Sequence, residues 1–224
     1  MSKVAAIVVG AGLGQRIGKD KMFLTLGGRP VISWSVDILQ KSQSIDSIVL
    51  VLHKDTMDIG RKLVARSGWS KIDAICEGGE LRQDSVRSGL NAINVCDWVL
   101  VHDGARPFLT GRLIEDGIQA AVETGAAAAA VEVKDTVKQV DDAGIVTRTL
   151  QRNRLRAIQT PQVFRFDLLK KAYELVSGEF SDDAGVVERA GYRVKLYPGE
   201  YENIKITTPE DLMLAEIIAK RHME

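Results

Sequence analysis

The residues with the most chemical promise lie in one short stretch, Gly10-Ala11-Gly12-Leu13-Gly14-Gln15-Arg16, followed shortly by Lys21. The glycines let backbone N–H groups approach an anion closely, and Arg16 and Lys21 add side-chain charge, so the segment is suited to hold a polyphosphate. Two familiar phosphate motifs do not fit it. A dinucleotide fingerprint counted from Gly10 puts Gln15 where the third glycine belongs. That fingerprint also wants an acid at the end of the second strand, but the apolar run Ser47 to Leu52 ends in His53-Lys54. The Walker pattern Gly-x-x-x-x-Gly-Lys-Ser/Thr does not occur. What remains is a glycine turn with an arginine and a lysine at fixed offsets, set against the plain alternative of a tight turn with solvated cations.

Asp103 and Arg106 follow the apolar run that begins at Trp98. They therefore lie just past the C-terminal end of a buried strand, where open α/β sheets place their ligand crevice. A carboxylate and a guanidinium there can orient a polyol and its phosphate, or simply pair with each other. His102 falls on the opposite face of the strand pattern and reads as a packing residue. Gly78-Gly79 allows close approach of a ligand, and Ser85 is placed to cap the helix after it. Asp182-Asp183 invites a metal reading, but adjacent acids are more often a solvated turn or cap. Cys76, Cys96 and three scattered histidines show no zinc-ligand spacing, so two reduced core thiols are expected and no metal is assigned to side chains.

These residues need a scaffold, and the hydrophobic pattern supplies one. Apolar runs at Val4 to Val9, Ser47 to Leu52, Lys71 to Cys76, Trp98 to His102, Ala126 to Val133 and Arg193 to Tyr197 read as strands. Ile32 to Gln40, Gln83 to Ile93, Thr110 to Glu123, Phe166 to Val176 and Thr208 to Arg221 read as helices. Alternation of the two predicts an α/β fold with a mostly parallel sheet and helices on both faces. The five alanines of Ala126 to Ala130 favour a helix by propensity. They read as a strand because the preceding helix stops at Thr124-Gly125. Residues 133–156 alternate around Asp141-Asp142-Ala143-Gly144 and predict a protruding β-hairpin, which is marginal in water unless it packs on a partner.

The sequence resembles the sugar-nucleotide and alditol-phosphate nucleotidyltransferases, and most closely the 2-C-methyl-D-erythritol 4-phosphate cytidylyltransferase family. The resemblance rests on the glycine turn with Arg16 and Lys21, on Gly78-Gly79-Glu80-x-Arg82-x-Asp84-Ser85-Val86, and on Val101-His-Asp103-Gly104-Ala-Arg106-Pro107. Asp135-Thr136-Val-Lys138, Arg152-Asn153, Thr160-Pro161-Gln162, Asp182-Asp183-Ala184 and the segment from Asn203 through Lys205 and Thr207 to Asp211 continue it in order along essentially the whole chain. The chain departs from the family pattern in having Val9-Gly10-Ala11-Gly12 for Pro-Ala-Ala-Gly and Asp20-Lys21-Met22 for Pro-Lys-Gln. Asp20 beside Lys21 would partly neutralise it.

The resemblance implies a Rossmann-like nucleotidyltransferase sheet and transfer of CMP from CTP to an alditol phosphate, with Mg²⁺ bound mainly through substrate phosphates. Arg16 and Lys21 would grip the triphosphate on the turn formed by Gly10, Ala11, Gly12 and Gly14. Gly79, Glu80, Arg82 and Ser85 would read the pyrimidine and ribose, and Asp103, Gly104 and Arg106 would face the polyol. Thr136 and Arg152 would clasp the acceptor phosphate of a neighbouring subunit in a homodimer, with Arg148, Arg154 and Arg156 close enough to substitute. Thr160 and Lys205 match further acceptor-side and phosphate-side contacts. A ribitol 5-phosphate cytidylyltransferase and a non-catalytic nucleotide-binding domain of the same fold are the alternatives; a dehydrogenase is disfavoured by the missing third glycine.

Thirty basic and thirty acidic residues cancel, which argues against bulk attraction to nucleic acid or an anionic membrane. No leader is expected ahead of the first strand, and no apolar run nears the roughly 20 residues of a membrane span. A cytoplasmic protein of one domain over residues 1–224 is therefore expected, with no fused second enzyme and with residues 133–156 as a dimerisation arm.

Overall fold

The computed structural model describes residues 2–12 and 21–223. Its centre is a seven-stranded sheet of β1 (Val4–Gly10), β4 (Ser47–Leu52), β5 (Ile72–Glu77), β6 (Trp98–Asp103), β7 (Ala126–Glu132), β10 (Arg156–Arg165) and β11 (Lys195–Pro198). The spatial order is β11-β7-β10-β6-β1-β4-β5. β1 pairs in parallel with both β4 and β6, and all seven of its residues are buried, as its unbroken apolar run requires. The helices α1 (Val31–Lys41), α2 (Met57–Ser67), α3 (Arg82–Ala92), α4 (Gly111–Thr124), α5 (Phe166–Leu175), α6 (Asp183–Arg189) and α7 (Pro209–Met223) accompany it. Two main apolar clusters lie on either face: Ala6, Val8, Leu50 and Leu100 point into one, Ile7, Val49, Val51 and Val101 into the other. Among the described residues no helix is long and apolar enough to cross a membrane.

The alanine run is a strand, as the sequence position demanded. Gly125, at φ 82°, ends α4 in the left-handed region, and Ala126 to Ala129 then lie fully buried between β10 and β11. Burial on both faces overrides helix propensity here. Small side chains also let neighbours approach: a Cβ on Gly117 of α4 would stand 2.7 Å from the hydroxyl of Tyr197 on β11.

Among the described residues, five strands and α-helices were missed by the sequence expectation, and the hairpin is shorter than expected. β10 was not anticipated; it runs antiparallel to both β6 and β7, with a register break between Ile158 and Gln162. The helices α2 and α6 were also missed, as was the small ribbon of β2 (Thr25–Leu26) and β3 (Arg29–Pro30). The hairpin expected over residues 133–156 is confined to β8 (Lys138–Val140) and β9 (Val146–Thr149), and Arg156 already belongs to β10. Its turn forms as the sequence indicates, with Gly144 at φ 78° and the Asp141 carboxylate accepting from the N–H groups of Ala143 and Ile145. Val140, Ile145 and Val146 on this ribbon are each more than half exposed, at 52%, 64% and 53%.

Candidate active site

The parallel strands β1, β4, β5 and β6 direct their C-terminal ends to one edge of the sheet, and a cleft of about 650 Å³ opens there. Gly10, Ala11, Gly12 and Lys21 line it together with Gly79, Glu80, Arg82, Ser85, Asp103 and Lys205. A smaller recess of about 100 Å³ continues beyond them, and Arg82, Asp103 and Lys205 are common to both. Arg106 and Thr160 line the recess. Residues from five separate stretches of sequence thus meet where two cavities join. Arg16 and Gly14 lie outside the described residues. Thr136 and Arg152 stand apart from both cavities: both are exposed, and Arg152 donates to the carbonyl of Lys134 at 2.6 Å.

Close packing shapes the nucleotide side. A Cβ on Gly78 would stand 2.2 Å from that of Ala11, so only glycine lets the β5 exit meet the turn after β1. Gly104 packs beneath Met22 and lines neither cavity, its place requiring a small residue rather than a ligand contact. Gly10, where the family pattern carries alanine, has the same neighbour: a Cβ there would meet Leu52, Met22 and the Val51 carbonyl at 3.1, 3.2 and 3.3 Å. The departures at Gly10 and Met22 are therefore one packing solution. Gly10→Ala is expected to lower stability by about 1 kcal/mol through overpacking, where Gly→Ala in an open strand would raise it; a thermal melt decides the sign.

The junction is an ion network. Arg82 donates from Nε to Asp103 at 2.9 Å and from Nη1 to Asp183 at 2.8 Å, and Lys205 reaches the other oxygen of Asp103 at 2.6 Å. Burial alone would raise the Asp103 carboxyl pKa, but Arg82 and Lys205 more than reverse this and hold it far below the usual range. Arg106 does not pair with Asp103. It donates to the backbone carbonyl of Asn203 at 2.6 Å, tying the β6 exit to the loop that carries Lys205. Arg82, expected on the pyrimidine side, lines the larger cleft and also reaches the junction. Ser85 is no helix cap: it lies inside α3, its hydroxyl donating to the Leu81 carbonyl at 3.3 Å, while Asp84 accepts from the Leu81 N–H.

Sequence reasoning treated Asp182 and Asp183 alike, as a solvated turn or cap, and the structure separates them. Asp182 is the expected cap, accepting from Gly185 N–H at 2.9 Å and from the Gln162 amide at 2.8 Å. Asp183 is fully buried, not solvated, because Arg82 and the Tyr173 hydroxyl satisfy its two oxygens. His53 and Lys54, which line the larger cleft, were noted only as a basic strand ending. Asn203 and Gln159, both buried, bind Thr160 and the Asn203 carbonyl respectively and brace the recess.

His102 is more than packing. It is fully buried, with Nε2 on the Arg106 carbonyl at 3.0 Å and Nδ1 on the Thr160 hydroxyl at 3.2 Å. Thr160 also accepts from the Asp103 N–H at 3.0 Å, so its hydroxyl is engaged within the protein. A neutral ring donating from Nε2 and accepting at Nδ1 satisfies every partner. Burial, opposed only partly by the Arg106 carbonyl, lowers the His102 pKa to about 4. A depressed histidine contributes stability that is complete above its unfolded value near 6.5 and lost as pH falls through 4. The loss should reach about 3 kcal/mol in urea titrations between pH 7 and 4, and His102→Gln should flatten that slope.

A parallel-strand cleft with a glycine turn and lysine, opening onto a cation-lined second recess, defines an α/β nucleotidyltransferase. A family model described as "IspD: 2-C-methyl-D-erythritol 4-phosphate cytidylyltransferase" matches residues 4–221. The chain belongs to this family. It is 49% identical over 220 residues to the enzyme of that name from Dehalococcoides mccartyi, covering 98% of this chain and 97% of the relative. It is 47% identical to that of Clostridium novyi, covering 97% of each. Among solved structures, 4-diphosphocytidyl-2C-methyl-D-erythritol synthase from Anaerococcus prevotii superposes with TM-score 0.86 at 34% identity, covering 98% of this chain and 99% of the other. The cytidylyltransferase from Thermus thermophilus gives 0.79 at 33% identity, covering 98% and 100%.

Proposed function

We propose that this chain transfers CMP from CTP to 2-C-methyl-D-erythritol 4-phosphate, giving 4-diphosphocytidyl-2-C-methyl-D-erythritol and pyrophosphate in non-mevalonate isoprenoid biosynthesis. The observation that carries the reading is the meeting of two cavities at Arg82, Asp103 and Lys205, in a chain of this family. CTP occupies the larger cleft, its phosphates on the glycine turn with Lys21 and Arg16; the acceptor lies in the smaller recess. Its phosphate is already an anion at neutral pH, so in-line attack on the α-phosphorus needs no general base. The task is to neutralise and align a triphosphate and the acceptor phosphate, which suits a site furnished with arginine and lysine. Mg²⁺, when bound, supplies further neutralisation on the phosphate oxygens. Both oxygens of Asp103 are taken, and the described residues include no group of three metal-ligating side chains, which favours an ion held mainly by substrate.

The enzyme acts in the cytoplasm as a single domain spanning residues 1–224, paired as a homodimer through residues 133–156. Exposure of apolar Val140, Ile145 and Val146 supports a partner for this arm, and the distance of Thr136 and Arg152 from their own cavities supports their service in the other subunit. Pyrophosphate release with Mg²⁺ tests the substrates, crossing CTP, UTP, ATP and GTP against 2-C-methyl-D-erythritol 4-phosphate, ribitol 5-phosphate and glucose 1-phosphate. Turnover confined to CTP with methylerythritol phosphate is expected. CTP with ribitol phosphate would move the acceptor, and silence in every combination would leave a binding domain. Mixed dimers of Arg152→Ala and Lys21→Ala subunits should regain partial activity, since one intact composite site forms; confirmed mixed dimers without activity would place each site within one chain.

A further inference from the structure

The charged network runs deeper than the chemistry at the junction requires. Asp183 has no side-chain exposure and is ion-paired with Arg82. Its oxygens take Arg82 Nη1 at 2.8 Å and the Tyr173 hydroxyl at 2.6 Å. Arg82 therefore bridges two carboxylates, while its Nη2 is buried without a partner among the described residues. Two carboxylates and two cations balance in charge, so Asp183 compensates Arg82 and leaves Asp103 shared between Arg82 and Lys205. The position of Asp183 is itself fixed from two sides. Gln83 on α3 donates to the Gly178 carbonyl and accepts from the Phe180 N–H, each at 2.9 Å, and Gln162 on β10 accepts from the Ala184 N–H at 2.9 Å.

We propose that Asp183 is a positioning residue for nucleotidyl transfer, holding Arg82 by Nη1 so that Nε stays on one oxygen of Asp103 and Lys205 keeps the other. The inference deepens the function proposed above and rests on it. Without Asp183, the guanidinium can turn a two-nitrogen edge onto Asp103 as a bidentate pair. Lys205 then loses its oxygen and its fixed place at the junction, where phosphoryl transfer depends on the alignment of charge.

Asp183→Asn preserves volume and removes the charge. At saturating CTP and methylerythritol phosphate, its kcat is expected to fall on the order of 10²-fold, with KM for CTP little changed. Arg82→Gln strands a buried Asp183 charge and should melt at lower temperature, while Arg82→Gln with Asp183→Asn removes both charges and should regain stability. If Asp183 acts through Arg82, that double variant turns over at the Arg82→Gln rate per folded molecule despite its recovered melting point. Parental kcat in Asp183→Asn, or a double variant whose activity per folded molecule falls by the product of the single losses, would overturn the inference. Should Asp183→Asn not fold, Tyr173→Phe decides: it removes one hydrogen bond to Asp183, and a lowered kcat at unchanged KM supports positioning, whereas a parental kcat refutes it. Silence of the unmodified enzyme with these substrates overturns the function and the inference together; an active parent with an unimpaired Asp183→Asn overturns the inference alone.

Discussion

Lys205→Met is expected to lower kcat on the order of 10²- to 10³-fold, since one well-placed charge at a developing phosphoryl transition state contributes about 3 to 4 kcal/mol. The loss of stability should be smaller, because Arg82 still pairs with Asp103. The side chain is 36% exposed, and its pair with Asp103, although only 2.6 Å long, lies at the cleft surface. Its partner is buried, so the loss exceeds that of a surface pair, which is less than about 1 kcal/mol. Arg82 remains on Asp103 and keeps the loss below that of a fully broken buried pair, about 3 to 5 kcal/mol. Catalysis therefore loses more than stability at this residue. Lys21 lines the same cleft, together with the glycine turn, and Lys21→Ala should show a comparable loss in kcat. Arg16→Ala is expected to follow it. Single-turnover pyrophosphate release distinguishes a slowed chemical step from weaker CTP binding, and near-parental rates in the lysine variants would remove both from the proposed machinery.

The elements that position these lysines were legible because parallel strands buried on both faces must be apolar throughout. Ala5 to Val9 and Ile48 to Leu52 contain no polar residue, and the site hangs from their C-terminal ends. β10 escaped notice for the opposite reason. Gln159, Thr160 and Gln162 are buried, at 7%, 4% and 1% exposure, and hydropathy alone places such residues in a loop. They are tolerated inside because each is hydrogen-bonded: Gln162 to Asp182 and Ala184, Thr160 to Asp103 and His102, and Gln159 to Glu200. A strand recruited to brace a polar site does not carry the signature of a core strand.

Partnerships between charges were less legible than positions. A local pair of Asp103 and Arg106, three residues apart, was the alternative to their ligand role, but the cation on Asp103 from earlier in the chain is Arg82, 21 residues before it. Asp183 resembled a solvated acid beside Asp182 until its partner proved to be Arg82, 101 residues away. Sequence spacing reports neighbours on a helix or strand. It says nothing of neighbours that sheet topology brings together from α3, β6 and α6.

Asp103→Asn should be the most destabilising of the site substitutions, because it leaves Arg82 and Lys205 facing an amide. The side chain of Asp103 is only 9% exposed and accepts from both cations. Breaking a buried pair by neutralising one partner costs about 3 to 5 kcal/mol. Arg82 retains Asp183 and Lys205 can turn to solvent, which places this case near the lower bound. The pH dependence separates charge from packing. A carboxyl held far below its ordinary pKa contributes stability that is complete above its unfolded value, about 3.9, and is lost as pH falls toward the folded one. The stability gap between parent and Asp103→Asn should therefore be widest at neutral pH and narrow below about pH 4. His102 titrates in both proteins and largely cancels in the difference. Urea unfolding of the two at pH 7 and at about pH 2.5, where the unfolded carboxyl is almost fully protonated, measures the gap directly. A gap that stays constant would assign the loss to shape at the junction, and one that closes would assign it to the charge that Arg82 and Lys205 share.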